Sequence, residues 1–216
     1  MATVGLNPSN VEFVDENNWE LRGECQRLQT LHSLGLAAWS DVNAEHLEQI
    51  VEWCKTYFER RPYNRWFKPL ETVFSGADAQ YYGVGASACH LDLVPFATHV
   101  KWGKLSSRQR GVLQSASADC LAYLIAGSPI SGLILNGASV VRGFQSLTKV
   151  RMESREQPTW NGISYKCVVA ELAGMKLDRE VLVMGYNHNI PGTPVNGTSL
   201  RALRAWVAEE LLAFDR

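Results

Sequence analysis

Apolar residues in this chain fall into short unbroken runs, separated by longer stretches in which they recur every three or four positions. The first run, Ala2 to Leu6, reads as a strand leading into Asn7-Pro8-Ser9-Asn10, where Pro8 fixes φ and Ser9 and Asn10 bond to neighbouring backbone. From Trp19 to Gly35 no period holds, which predicts loop with a short helix. Leu47, Ile50, Val51, Cys54, Tyr57 and Phe58 keep helical spacing, so a helix is expected from Ala44 to about Arg60, capped by Asp41 or Asn43 and stopped by Pro62. A second helix, Asn64 to Phe74, carries Trp66, Phe67, Leu70, Val73 and Phe74, and its aromatics read as core.

Ala88 to Thr98 is an apolar strand interrupted by His90 and Asp92 and ended by Pro95. Ser107 to Ala126 predicts a helix, which Gly127-Ser128-Pro129 breaks. Ile130 to Leu135 is a buried strand ending at Asn136-Gly137, and a helix follows from about Ala138 to Leu147. After the polar stretch Lys149 to Gln157, Trp160 to Leu172 reads as a hairpin arm, with Ser164 to Glu171 its clearest strand. Arg179 to Tyr186 is the last strand and delivers Asn187 to Gly197 onto the surface. Thr198 is expected to cap a final helix to Phe214, with Leu200, Leu203, Val207, Leu211 and Leu212 inward.

Strand, helix and strand in alternation predict parallel pairing with helices on both faces. The expected fold class is α/β, a three-layer α/β/α sandwich around a mainly parallel sheet of about four strands, with room for an added hairpin. Its 216 residues read as one domain, 46% hydrophobic and 20% charged, without an apolar run of membrane-helix length. No secretory pattern opens the chain, and its five cysteines lack a Cys-x-x-Cys pair, so reduced, buried thiols in a cytoplasmic protein are expected, with no metal and no cofactor. Neither a membrane nor an obligate protein partner is indicated. A net charge of −1 means that any DNA binding must rely on a local basic surface. Lys101, Lys104, Arg108 and Arg110 form such a cluster, which reads as phosphate-binding or simply as a solvated face.

Asn7, Asp92, Asn136 and His188 each lie at or near the carboxyl end of a predicted strand, the edge where open α/β sheets hold ligands. His90 and Asp92, two residues apart, share one face of their strand; the carboxylate is either a structural partner of His90 or a working group. Gly-x-x-x-x-Gly-Lys, Gly-x-Gly-x-x-Gly and Gly-x-Ser-x-Gly are all absent, so nucleotide hydrolysis, dinucleotide binding and the usual hydrolase elbow lose support.

Gly5-Leu6-Asn7-Pro8-Ser9 resembles the first motif of the uracil-DNA glycosylase superfamily, particularly the branches related to the mismatch-specific and single-strand-selective enzymes. The His188 loop is similar in position to that superfamily's second motif. The resemblance implies a four-stranded, mainly parallel sheet between helices, acting on a base flipped out of DNA. Carried over, Asn7 would hold the attacking water, and His188 would bond the base oxygen that gains charge as the glycosidic bond breaks. The chain departs from the pattern in having His188-Asn189-Ile190 where His-Pro-Ser is familiar, and in lacking a helix before the first strand. Expected base-binding residues are Asp92, Asn136 and Phe13, the last either stacking on the base or belonging to the core. Expected DNA contacts are Ser9, Lys101, Lys104, Arg108, Arg110, Ile190 and Thr193.

Asp92 carries the substrate expectation. In the resembling enzymes the equivalent strand often bears an Asn that reads the uracil edge, whereas an ionised carboxylate only accepts and so suits an exocyclic amine such as cytosine N4. A modified cytosine, as in some phage DNAs, is the expected target and defence the expected role. Uracil excision in repair and a catalytically inactive DNA-binding module are the alternatives.

Overall fold

The computed structural model describes residues 1–77, 79–117, 119–190, 192 and 195–214. Six strands, β1 (Ala2–Gly5), β2 (Cys89–Asp92), β3 (Gly132–Asn136), β4 (Glu153–Gln157), β5 (Gly162–Leu172) and β6 (Met175–Tyr186), form one mixed sheet in the order β2-β1-β3-β6-β5-β4. The first four in that order run parallel; β5 lies antiparallel to β6, and β4 antiparallel to β5. Helices α1 (Ala44–Lys55), α2 (Asn64–Phe74), α3 (Ser107–Ser115), α4 (Cys120–Ala126), α5 (Ala138–Thr148) and α6 (Gly197–Phe214) complete the fold.

Alternate burial along the strands divides the core. Leu133 and Leu135 of β3 and Val181 and Val183 of β6 pack with Leu121, Ile125, Val141 and Phe144 from α4 and α5. Ile134, Leu182, Met184 and Tyr186 point the other way, onto Leu70 and Val73 of α2 and Leu203 and Val207 of α6. Helices therefore cover both sides of the sheet.

The sheet is larger than the expected four strands, for two local reasons. Ala173 and Gly174, both at positive φ, make a two-residue turn that pairs Leu172 with Met175 and lengthens β5 and β6 into a hairpin. The polar stretch before it supplies β4, whose side chains are almost all exposed; backbone pairing to β5 replaces the apolar alternation that would have marked it as a strand. The helix expected from Ser107 to Ala126 is two: Ser117 Oγ turns back onto the Leu113 carbonyl at 2.9 Å, after α3 has ended at Ser115. Asn196, not Thr198, caps α6, its Oδ1 accepting from Ser199 N at 2.8 Å. Leu212 is exposed, although Leu203 and Val207 lie inward as expected. The apolar stripe of α1 leaves Leu47 and Val51 in solvent, and only Tyr57, in a following 3-10 turn, is buried.

All five cysteines are free thiols, but Cys25 and Cys54 are exposed rather than buried. Among the described residues, no helix is long and apolar enough to cross a membrane.

Close approach of α5 to the sheet depends on Gly185, where an added Cβ would stand 2.7 Å from Val141 Cγ2 and 3.2 Å from Leu135 Cβ. Gly185→Ala is expected to lower stability by about 1–3 kcal/mol through overpacking. Denaturant unfolding measures this, and an unchanged midpoint would show that α5 can shift at no cost.

Candidate active site at the carboxyl edge of the sheet

Parallel register brings the strand ends level. Gly5 of β1 pairs with Asp92 of β2, Val4 with Leu135 of β3, and Asn136 with Tyr186 of β6. Asn7 and His188 each follow two residues later, on either side of the end of β3. Two inter-strand spacings put β1 and β6 about 10 Å apart.

Beyond β1, pairing continues through Val94 N to Leu6 O at 3.1 Å and an isolated bridge between Ser9 and Thr98. This holds Asn7 against residues 96–98. Its Nδ2 donates to the carbonyls of Pro8 and Phe96 and to Thr98 Oγ1, each at 3.2 Å. Two of those partners are carbonyl oxygens that can only accept, so the amide has one orientation and Oδ1 is the atom left to meet a ligand.

On β2, His90 and Asp92 share a face, as alternation requires. Asp92 Oδ1 lies 3.7 Å from His90 Nε2, with side chains 14% and 13% exposed. His90 Nδ1 is 2.8 Å from Thr3 Oγ1, which in turn bonds the Tyr81 hydroxyl, and the ring sits edge-on to Phe67. Gly5 makes the arrangement possible: a Cβ there would fall 2.4 Å from Asp92 Oδ1 and 3.0 Å from His90 Nε2.

Glu12 is the residue that sequence reasoning missed. The 3-10 turn Asn10–Glu12 swings it inward until it is only 7% exposed. The Tyr57 hydroxyl lies 2.9 Å and 2.8 Å from its two oxygens and itself accepts from Tyr63 N at 2.9 Å. Burial pushes the Glu12 carboxyl above its ordinary range, against the lowering effects of Tyr57, Arg27 and His90, and Asp92 adds to the rise. Arg27 is held nearby by the carbonyls of Val11 and Arg61. The available signal was a single carboxylate between two apolar residues, Val11 and Phe13, one short turn after Asn7.

The other expected site residues fall differently. Asn136 is 2% exposed and uses its amide at both ends, Nδ2 to the Ile190 carbonyl and Oδ1 from Ile190 N at 3.0 Å. It clamps the chain after β6, and its expected base contact gives way to that. Ile190 is 4% exposed within the core on the α2 and α6 side, so the expected DNA contact is corrected: burial against Asn136 withdraws it from the surface. His188 Nε2 faces the Trp160 carbonyl at 3.3 Å, which requires the proton on Nε2 and leaves Nδ1 an acceptor in the neutral ring. Among the described residues, the Trp160 indole N–H and the Tyr186 hydroxyl are buried without hydrogen-bond partners. Phe13 is half-buried and Ser9 exposed. Thr193 lies outside the described residues.

Lys101, Lys104 and Arg108 are exposed and Arg110 is half-buried, directly after the loop that anchors Asn7. Ser106 caps α3 there, its Oγ accepting from Gln109 N at 3.2 Å. Elsewhere, a hollow of about 370 Å³ lined by Glu71, Ser75, Ala79, Gln80 and Tyr82 lies at the amino end of β2, away from this edge. Among the described residues, no three or more His, Cys, Asp or Glu side chains are grouped to hold a metal ion. Comparison of the chain with family models, curated proteins and solved structures finds no match.

The Gly5 gap is testable by a double-mutant cycle. Gly5→Ala is expected to destabilise by about 1–3 kcal/mol, with at least about 0.5 kcal/mol of that coupled to Asp92 and recovered in the Asp92→Ala background. Additive losses would mean that the two positions do not compete for space.

A second measurement concerns Glu12. Because its folded-state pKa lies above the ordinary 4.5, the stability it contributes is complete below that value and is lost as pH rises through the raised one. Thermal unfolding across this window should therefore shift steadily in favour of Glu12→Gln over the native chain. A constant difference would remove the strained carboxyl.

Proposed function

We propose that the chain is a DNA glycosylase that hydrolyses the N-glycosidic bond of a flipped-out, cytosine-type base and leaves an abasic site. The observation that carries this reading is the anchored Asn7 amide, whose nitrogen is saturated and whose oxygen is left without a partner among the described residues, two positions beyond the strand end that pairs with Asp92. The resemblance of Gly5-Leu6-Asn7-Pro8-Ser9 to the first uracil-DNA glycosylase motif supports it. So does the α/β order, with four parallel strands inside the sheet and helices to both sides, compatible with a three-layer sandwich.

In this mechanism Asn7 Oδ1 accepts a hydrogen bond from water and aims its oxygen at the sugar carbon as the base departs. The bond between that carbon and the base nitrogen breaks, the electron pair leaves with the base, and the water's proton balances the charge on the released base. Asp92 accepts from the exocyclic amine and so selects against uracil. The exposed Lys101, Lys104 and Arg108 meet phosphates. His188 stabilises the developing oxyanion only through Nδ1–H, which demands a second proton or release of the 3.3 Å bond to Trp160. That bond favours a second reading, a module that binds DNA without cleaving it.

Oligonucleotides containing a single uracil, cytosine or modified cytosine, treated with alkali after incubation, separate the readings. Release of a cytosine-type base is expected, and Asn7→Ala should reduce it at least about a hundredfold while DNA binding holds, as for a group acting in the transition state. Tight binding with every strand intact would select the module. Release of uracil alone would restore the repair alternative.

A further inference from the structure

Between Leu93 and Met152 the chain has seven Lys and Arg residues and one acidic residue, Asp119, although its net charge is −1. Lys101, Lys104 and Arg108 are exposed, and among the described residues none of them is paired with a carboxylate. Arg108 also lines, with Leu105, Gln109, Val112 and Leu113, an open hollow of about 320 Å³. Steps of three and four place these five on one helix face, the face that a surface helix ordinarily turns inward. Here α3 buries none of its residues, and Val112 is 63% exposed. Nor is apolar surface confined to that stripe. Phe96 and Val100 are exposed and Trp102 is half-buried, so apolar side chains and cations alternate from the loop that anchors Asn7 into α3.

We propose that this surface binds single-stranded DNA, whose unpaired bases lie against the apolar side chains, one of them in the α3 hollow, while Lys101, Lys104 and Arg108 hold the phosphates. The inference rests on the DNA-binding part of the reading above and adds the form of the strand. Each nucleotide of an unpaired strand offers one flat apolar face and one anion, the alternation that this stretch repeats. A duplex stacks its base faces on one another and shows only their edges, so it would meet the cations and leave Val112 and the hollow uncovered. An acidic partner helix would fill the hollow, but it brings its apolar side chains to a single groove and leaves Phe96 and Val100 without a contact. At about 320 Å³ the hollow lies at the lower end of the range for small-ligand sites, which suits one base. A strand already unpaired also lowers the cost of turning a base out towards Asn7.

Fluorescence anisotropy tests this with a labelled strand of about twelve thymidines, its duplex with the adenine complement, and a strand of equal length whose central bases are replaced by abasic spacers. None of the three contains cytosine or uracil, so binding is read independently of base release. The native chain is expected to bind the thymidine strand at least about tenfold more tightly than either the duplex or the abasic strand. Val112→Ser, at an exposed position, should weaken single-strand binding about threefold or more and leave duplex binding unchanged. Lys101→Gln combined with Lys104→Gln should weaken both and flatten their salt dependence. Equal binding of the duplex or of the abasic strand overturns the proposal, since phosphates alone then suffice, and this comparison needs no variant. An undiminished single-strand preference in Val112→Ser overturns it too. So does capture of an acidic amphipathic peptide without binding of any strand, which gives the surface to a protein partner. If no base is ever released while the single-strand preference and its loss in Val112→Ser are found, the glycosylase reading falls and this one stands.

Discussion

A missing side chain at Gly5 is the constraint on which the carboxyl edge of this sheet depends. Asp92 and His90 occupy the volume that any larger residue would fill, with Asp92 Oδ1 only 2.4 Å from where a Cβ would stand. Polar groups can lie there because each is tied to another, His90 to Thr3 and Thr3 to Tyr81, as Glu12 is to Tyr57. Phe67 of α2 packs edge-on against both the His90 ring and the Tyr57 ring, so that apolar surface adjoins these polar groups. Buried polar groups are tolerable only when so connected, and the connection also restricts their orientation.

The far side of the edge is governed by another polar residue, Asn136. By bonding both the N–H and the C=O of Ile190 it does for an irregular segment what a neighbouring strand does for a regular one. His188, two residues earlier, is thereby confined near Trp160. The two halves differ in kind. Around β1 the candidate side chains are fixed directly, whereas beside β6 a buried amide fixes the backbone and the histidine follows.

Much of the fold could be read from the sequence, because apolar runs and helical spacing reflect burial directly. Helix α2 carries its expected bounds, and the four parallel strands arise from the four apolar runs. What escaped were features set by backbone pairing alone. Strand β4 buries almost nothing, and beyond α3 the Ser117 N–H bonds the Gln114 carbonyl at 3.2 Å in place of a helical i−4 partner. Within the site, the strand-end positions of Asn7, Asp92, Asn136 and His188 followed from the order of elements. The inward turn of Glu12 did not, since a short 3-10 turn has no periodicity to announce it, and its partner Tyr57 lies 45 residues away. Nor could the sequence tell that Asn136 spends its amide on Ile190, because the same side chain at a strand end serves ligand and backbone equally well.

The margins of the sheet carry a consequence of another sort. An outermost strand exposes a row of unpaired backbone donors and acceptors, an invitation to intermolecular pairing and aggregation. Here β4 closes one margin with Glu153, Arg155 and Glu156, all exposed, and β2 closes the other with only four residues. A second molecule approaching β4 edge to edge would have to bring its own backbone alongside closely spaced, solvated charges of both signs. At β2 it would find little length to grip before Pro95 removes a donor. The polarity that hid β4 among the loops is thus also what sets charges of both signs against a second backbone along that margin.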